Sequence, residues 1–166
     1  MSASVTTERR QERMRALRER HHPHCLICGA QNNRGLQVPF RACEDGSVTA
    51  TLTLSTDLQG YRDVAHGGIV ASLLDAAMVN CLFTHGIVAM TAELVVRFVH
   101  PVAVGHPAEV RAWRKTSRPP LHEMSARLTQ GTRIVARATA KFMEVPDSPA
   151  GTESERTKVP PSNPQK

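Results

Sequence analysis

Hydrophobic positions along this 166-residue chain change period three times. Val48, Ala50, Leu52 and Leu54 alternate with Thr49, Thr51 and Thr53, the pattern of a strand with one face in a core. Leu36 to Cys43 precedes that strand and is placed to pair with it across a Glu44-Asp45-Gly46 turn. Gly67 to Thr84, GGIVASLLDAAMVNCLFT, is apolar almost throughout and has the length of a buried helix. After His85-Gly86 the period returns to two. Ala92, Leu94, Val96 and Phe98 take one strand face, and Thr91, Glu93, Val95 and Arg97 take the other. Pro101 and Gly105 end that strand, and Ala108 to Lys115, Leu121 to Thr129 and Arg133 to Phe142 follow as three more.

This order predicts an α+β domain: an antiparallel sheet of five or six strands wrapped around one long central helix that covers its inner face. The domain is expected over residues 25–145. Residues 1–24 form a charged segment, with a helix over 5–20 whose only apolar stripe is Met14 and Leu17. Six arginines lie between Arg9 and Arg20, so much of the +6 net charge is a solvated segment rather than a binding face. From Pro146 the composition turns to Pro, Ser, Glu and Lys, which predicts a disordered tail over 146–166. The N-terminus lacks a secretory pattern, and the longest apolar runs fall short of the roughly 20 residues of a bilayer span. The expectation is a cytoplasmic protein with reduced thiols and no membrane partner. Aromatics make up 4% of the chain, too few for stacking platforms, so no nucleic-acid partner is expected.

Within the apolar helix, Asp75 is the only charged residue. A buried carboxylate needs a partner or must hold its proton, so Asp75 is the first candidate for chemistry. His66, Gly67 and Gly68 open the same helix, where backbone N–H groups are unpaired and the dipole is positive. Glycine lets a ligand approach that backbone, and a carbonyl oxygen gaining charge would be stabilised there. Gly68 and Asp75 are seven residues apart, on one helix face but about 10 Å along the axis. One reacting carbon cannot sit roughly 3 Å from both. Two helices packed antiparallel remove the conflict, setting Gly68 of one subunit against Asp75 of the other, and so predict a two-fold dimer with two composite sites.

The segment HHPHCLICGAQNNRGL offers His21, His22, His24, Cys25 and Cys28, with Cys43 as the next thiol. A structural zinc site wants four ligands, and a second C-x-x-C is missing, so structural thiols and no metal are expected. A G-x-S-x-G elbow, a phosphate loop and a dinucleotide fingerprint are all absent from the sequence.

The helix opened by His66-Gly67-Gly68, Asp75 within LLDAAM, the earlier CLICGAQNNRGL and the strand TAELVVRF before Pro101 together resemble the hotdog-fold acyl-CoA thioesterases. The similarity is greatest to the branch of phenylacetate-pathway and 4-hydroxybenzoyl-CoA thioesterases. It implies a hotdog fold, hydrolysis of an acyl-CoA to acid and free CoA, a homodimer or homotetramer, and no cofactor. It also implies that Asp75 is nucleophile or general base, that the Gly68 N–H polarises the carbonyl, and that His66 and Gly67 belong to the same motif. Glu93 stands where some relatives carry an acid, and is either auxiliary or a surface charge. Asn80 is a candidate to line the pocket or cap a dimer contact, and Arg97, Arg114, Lys115 and Arg118 are candidates for the CoA phosphates. Ser117-Arg118-Pro119-Pro120 replaces the Gly-Arg pair usual in that turn. The rival readings are an acyl-CoA-binding sensor and a hydratase or dehydratase on the same scaffold.

Overall fold

In the computed structural model, which describes residues 3–145, the apolar run is a single helix, α2 (Gly67–Thr84). Helix α1 (Ala3–His21) and strands β1 (Arg41–Ala42) and β2 (Val48–Thr53) precede it. Strands β3 (Ala89–Phe98), β4 (Pro107–Arg118), β5 (Leu121–Gln130) and β6 (Arg133–Glu144) follow. All six strands form one antiparallel sheet in the order β1-β2-β4-β5-β6-β3, curled around α2. By length and composition α2 could cross a membrane, yet 67% of it is buried inside the domain.

The inward residues explain the curl. Ala50, Ala108, Ala112, Ala126, Ala136, Ala138 and Ala140 are all buried and small, so the backbones of four strands approach α2 closely. Val110, Met124, Leu128 and Phe142 fill the remaining space against Leu73, Leu74 and Met78. At about 25 cal/mol per Å² of apolar surface, these side chains dominate the folding free energy.

Three features depart from the expected layout. First, α2 has two covers: α1 packs on it through fully buried Met14, and Gln11 Oε1 accepts the Ala42 N–H at 2.8 Å to tie α1 to β1. Second, β1 is two residues long, because Val38 N–H donates to Ile27 O and Leu36 N–H to Leu26 O, pairing that stretch with the cysteine loop instead of β2. Third, β3 lies beside β6 at the far edge, so only β4, β5 and β6 form a meander. A bulge at Ala92 also reverses the parity of β3, since Thr91 pairs with Phe142 and Glu93 with Lys141. The expected faces hold from Glu93 onward, but Thr91 turns to the helix side. The predicted tail, 146–166, lies outside the described residues.

At the turn end of the β4–β5 hairpin, His122 is fully buried between Ser117 Oγ (2.9 Å from Nδ1) and Glu144 Oε1 (2.7 Å from Nε2). A carboxylate only accepts, so Nε2–H donates to Glu144, and Nδ1 shares the other hydrogen bond with the Ser117 hydroxyl. The sequence showed no partner for this histidine. The trio has the membership of a hydrolase relay, but His122 is sealed in the core and clamps the end of β6 to the hairpin. His122→Ala should lower unfolding free energy by about 1–3 kcal/mol, the loss of two hydrogen bonds made by a fully buried ring, in a denaturant titration. Ser117→Ala should leave any hydrolytic turnover unchanged.

Candidate active site

Asp75 sits on the part of α2 that α1 leaves uncovered. Gly67 and Gly68 are exposed, Ile69, Ala71, Ser72 and Asp75 are half-buried, and from Ala76 onward every residue is buried. A cleft of about 350 Å³ opens over this face, lined by Ala71, Ser72, Asp75, Thr91, Leu94 and, from the loop after α1, His22 and Cys25. Thr91 Oγ1 donates to Asp75 Oδ1 at 2.8 Å, leaving Oδ2 as the other acceptor. Burial pushes the Asp75 carboxyl above its ordinary value, while the Thr91 hydrogen bond and nearby His22 oppose the shift. Thr91 was missed in the sequence because simple alternation put it on the outer face; the bulge brings it in.

At the start of the same helix, His66 acts as the cap. Its Nδ1 accepts the Gly68 N–H at 2.9 Å, and its carbonyl accepts from Ile69 and Val70. The Gly68 amide is therefore occupied, whereas the Gly67 N–H has no partner among the described residues. A Cβ on Gly68 would come within 3.0 Å of His66 Nδ1, and one on Gly67 within 3.4 Å of the Phe98 ring, so both glycines keep the helix start open. A second cleft of about 350 Å³ lies here, lined by Tyr61, Gly67, Val70, Phe98 and Pro101 among others.

Other candidates are dispersed. Glu93 is on the outer face of the sheet, paired with Lys141 at 2.9 Å, and the sheet separates it from Asp75. Asn80 does not reach the cleft: it is fully buried, donates to Ala76 O at 2.8 Å and lies 3.5 Å from Cys28 Sγ. Arg97 ends a cross-strand row, Arg111–Arg127–Arg137–Arg97, on the outer face. Asp45 neutralises Arg111 at 2.6 Å, whereas Arg97, Arg127 and Arg137 have no carboxylate partner within 4.0 Å among the described residues. Arg114 and Arg118 are exposed on β4, and Lys115 lines a small outer depression with Glu93 and Glu123. The four basic candidates thus do not converge on one spot.

The loop after α1 supplies the third set of groups. Hydrogen bonds to Cys28 and His22 hold the Cys25 thiol far below its ordinary value, and the same pairing together with burial holds Cys28 above its own. His24, expected beside the two cysteines, is exposed and takes no part.

Known proteins share this architecture. Residues 63–138 match the model of the Thioesterase superfamily. The domain has the hotdog fold of these proteins. It superposes on RHA08564, a thioesterase superfamily protein, with a TM-score of 0.70 and 24% identity. That alignment covers 73% of this chain and 60% of RHA08564, so this chain spans less than two thirds of that relative. On PaaI of the Escherichia coli phenylacetic acid degradation operon the TM-score is also 0.70, at 15% identity over 85% of this chain and 96% of PaaI. The Streptococcus mutans protein smu.793, solved bound to acetyl CoA, matches at 0.61 and 18% identity, over 65% of this chain and 88% of its own. No curated protein sequence matches the chain.

Proposed function

We propose that this hotdog hydrolyses acyl-CoA thioesters as a homodimer, with Asp75 as the catalytic carboxylate, on the pattern of the phenylacetate-pathway branch. The observation that carries this reading is Asp75 itself: a desolvated carboxylate, bonded to Thr91, in a cleft on a helix otherwise free of charge. Its raised proton affinity suits a general base for water, and the oxygen not held by Thr91 is the one that would take the proton. Binding of acetyl CoA by a protein of this fold supports CoA as the thiol half of the substrate.

The dimer follows from the shape of the exposed face. The midpoint between Gly68 and Asp75 falls between Ala71 and Ser72, two small residues that let a second α2 approach closely. A two-fold axis there sets the Asp75 cleft of one protomer against the Gly67 cleft of its partner. The edge strand β3 carries exposed Met90, Val95 and Phe98, an unguarded edge suited to pairing with its own copy. In such a pair the thioester oxygen accepts from the helix start. The Gly67 N–H is available at once, and the Gly68 N–H becomes so when the His66 ring turns away. A panel of aliphatic and aromatic acyl-CoAs, assayed for free thiol, should show turnover on at least one class. Tight acyl-CoA binding with no thiol release would instead favour a sensor.

A further inference from the structure

The loop between α1 and β1 gathers soft ligands that the hydrolytic reading leaves unused. Cys25 N–H donates to His22 O and Gly29 N–H to Cys25 O, winding residues 22–29 into tight turns. Gly29 is required there, since a Cβ would lie 2.3 Å from Cys25 N and 2.7 Å from Pro23 O. The winding brings one ligand atom each from His22, Cys25 and Cys28 within 4.8 Å of one another. Further bonds fix the loop: Asn32 Nδ2 donates to His24 O, and Leu36 and Val38 N–H groups donate to Leu26 and Ile27 carbonyls. Behind the cluster, Asn80 Nδ2 points at Cys28 Sγ, and the His22 ring stands edge-on to Phe83 at 5.2 Å.

Three polar atoms around this loop are left over: His21 Nε2, His22 Nδ1 and Asn80 Oδ1 are buried with no hydrogen-bond partner among the described residues. Unsatisfied buried atoms are rare in native proteins and commonly mark an ion or another group that completes the site. Two sulfurs and one imidazole make the donor set of a tetrahedral thiophilic cation. Three protein ligands with a fourth position free is the arrangement of an open site, and His22 and Cys25 both line the cleft that holds Asp75.

We propose that His22, Cys25 and Cys28 bind one zinc-class divalent cation, with its fourth position open to the Asp75 cleft. Binding displaces the thiol protons to solvent as the two sulfurs coordinate, so affinity falls as pH is lowered. Asn80 acts as a positioning residue by orienting Cys28. In the sequence His24, Cys25 and Cys28 stand together as H-C-x-x-C, but the structure brings in His22 instead, a choice set by where α1 ends.

The test is titration of the reduced, metal-free full chain with Co²⁺, followed by displacement with Zn²⁺. The expected result is one equivalent bound, with a thiolate-to-cobalt charge-transfer band that zinc removes. Cys25→Ser and His22→Ala should each weaken binding by about tenfold or more. Cys43→Ser, outside the cluster, should bind as wild type does. Cys28→Ser risks the core, so the Cys25 and His22 variants, in the half-buried loop after α1, carry the conclusion if that one misfolds. No stoichiometric band, a band unmoved by the His22 and Cys25 variants, or thiols that only form a Cys25–Cys28 disulfide would each overturn the proposal.

Discussion

Asp75→Asn should cost roughly 100-fold or more in acyl-CoA turnover, while raising the thermal midpoint at neutral pH. Both effects have one cause. Burial lifts the folded-state pKa of Asp75 above its unfolded value, so the folded chain binds its proton more readily. The stability this contributes is fully present below the unfolded pKa and is lost as pH rises through the folded one. Near neutrality the ionised carboxylate therefore strains the fold, and asparagine, isosteric and uncharged, removes that strain while still accepting from Thr91. A residue that weakens the fold in its working state is one retained for chemistry. The same sign governs rate: wild-type turnover should fall on the acid side through an apparent pKa above the ordinary carboxylate value. Glu93→Gln is the control, with turnover close to wild type, because Glu93 faces Lys141 on the other side of the sheet. Paired pH–rate profiles and thermal melts read all of this. An Asp75→Asn variant that is active, or that is inactive and less stable, would remove Asp75 from the mechanism.

What the sequence revealed and what it hid follow from physics. Alternation exposed β2 and most of β3 to β6, and the apolar run exposed α2, because both periods report burial directly. The same periodicity failed at Thr91, since one bulge reverses the parity of the residues before it and leaves no composition signature. Asn80 looked like a pocket residue because a polar group in an apolar helix needs a partner; its neighbour proved to be Cys28, brought in by a loop no local pattern describes. Helix α1 is polar nearly all round, so its docking through Met14 was not visible in its charge pattern. His66-Gly67-Gly68 and Asp75 stood out in the sequence as candidates because glycines at a helix start and a lone carboxylate in an apolar helix are each costly unless used, and the structure places them on the exposed part of α2. That the Gly68 amide is already held by His66 required coordinates.

The second large effect concerns the composite site, because Asp75 and the glycine start are too far apart along α2 to serve one carbonyl within a chain. Gly68→Val should be nearly inactive alone, since even its Cβ meets His66 at 3.0 Å and the rest of the side chain screens the helix start. Asp75→Asn should be nearly inactive for the reason given above. Mixing equal amounts of the two, unfolding or dissociating them and letting them reassociate, tests the claim most directly. Half the dimers are then hybrids, each with one intact site, so about a quarter of wild-type turnover should return. Activity that stays at the level of the parents after exchange has been verified, or full turnover by a wild-type monomer, would contradict an active site shared between two chains.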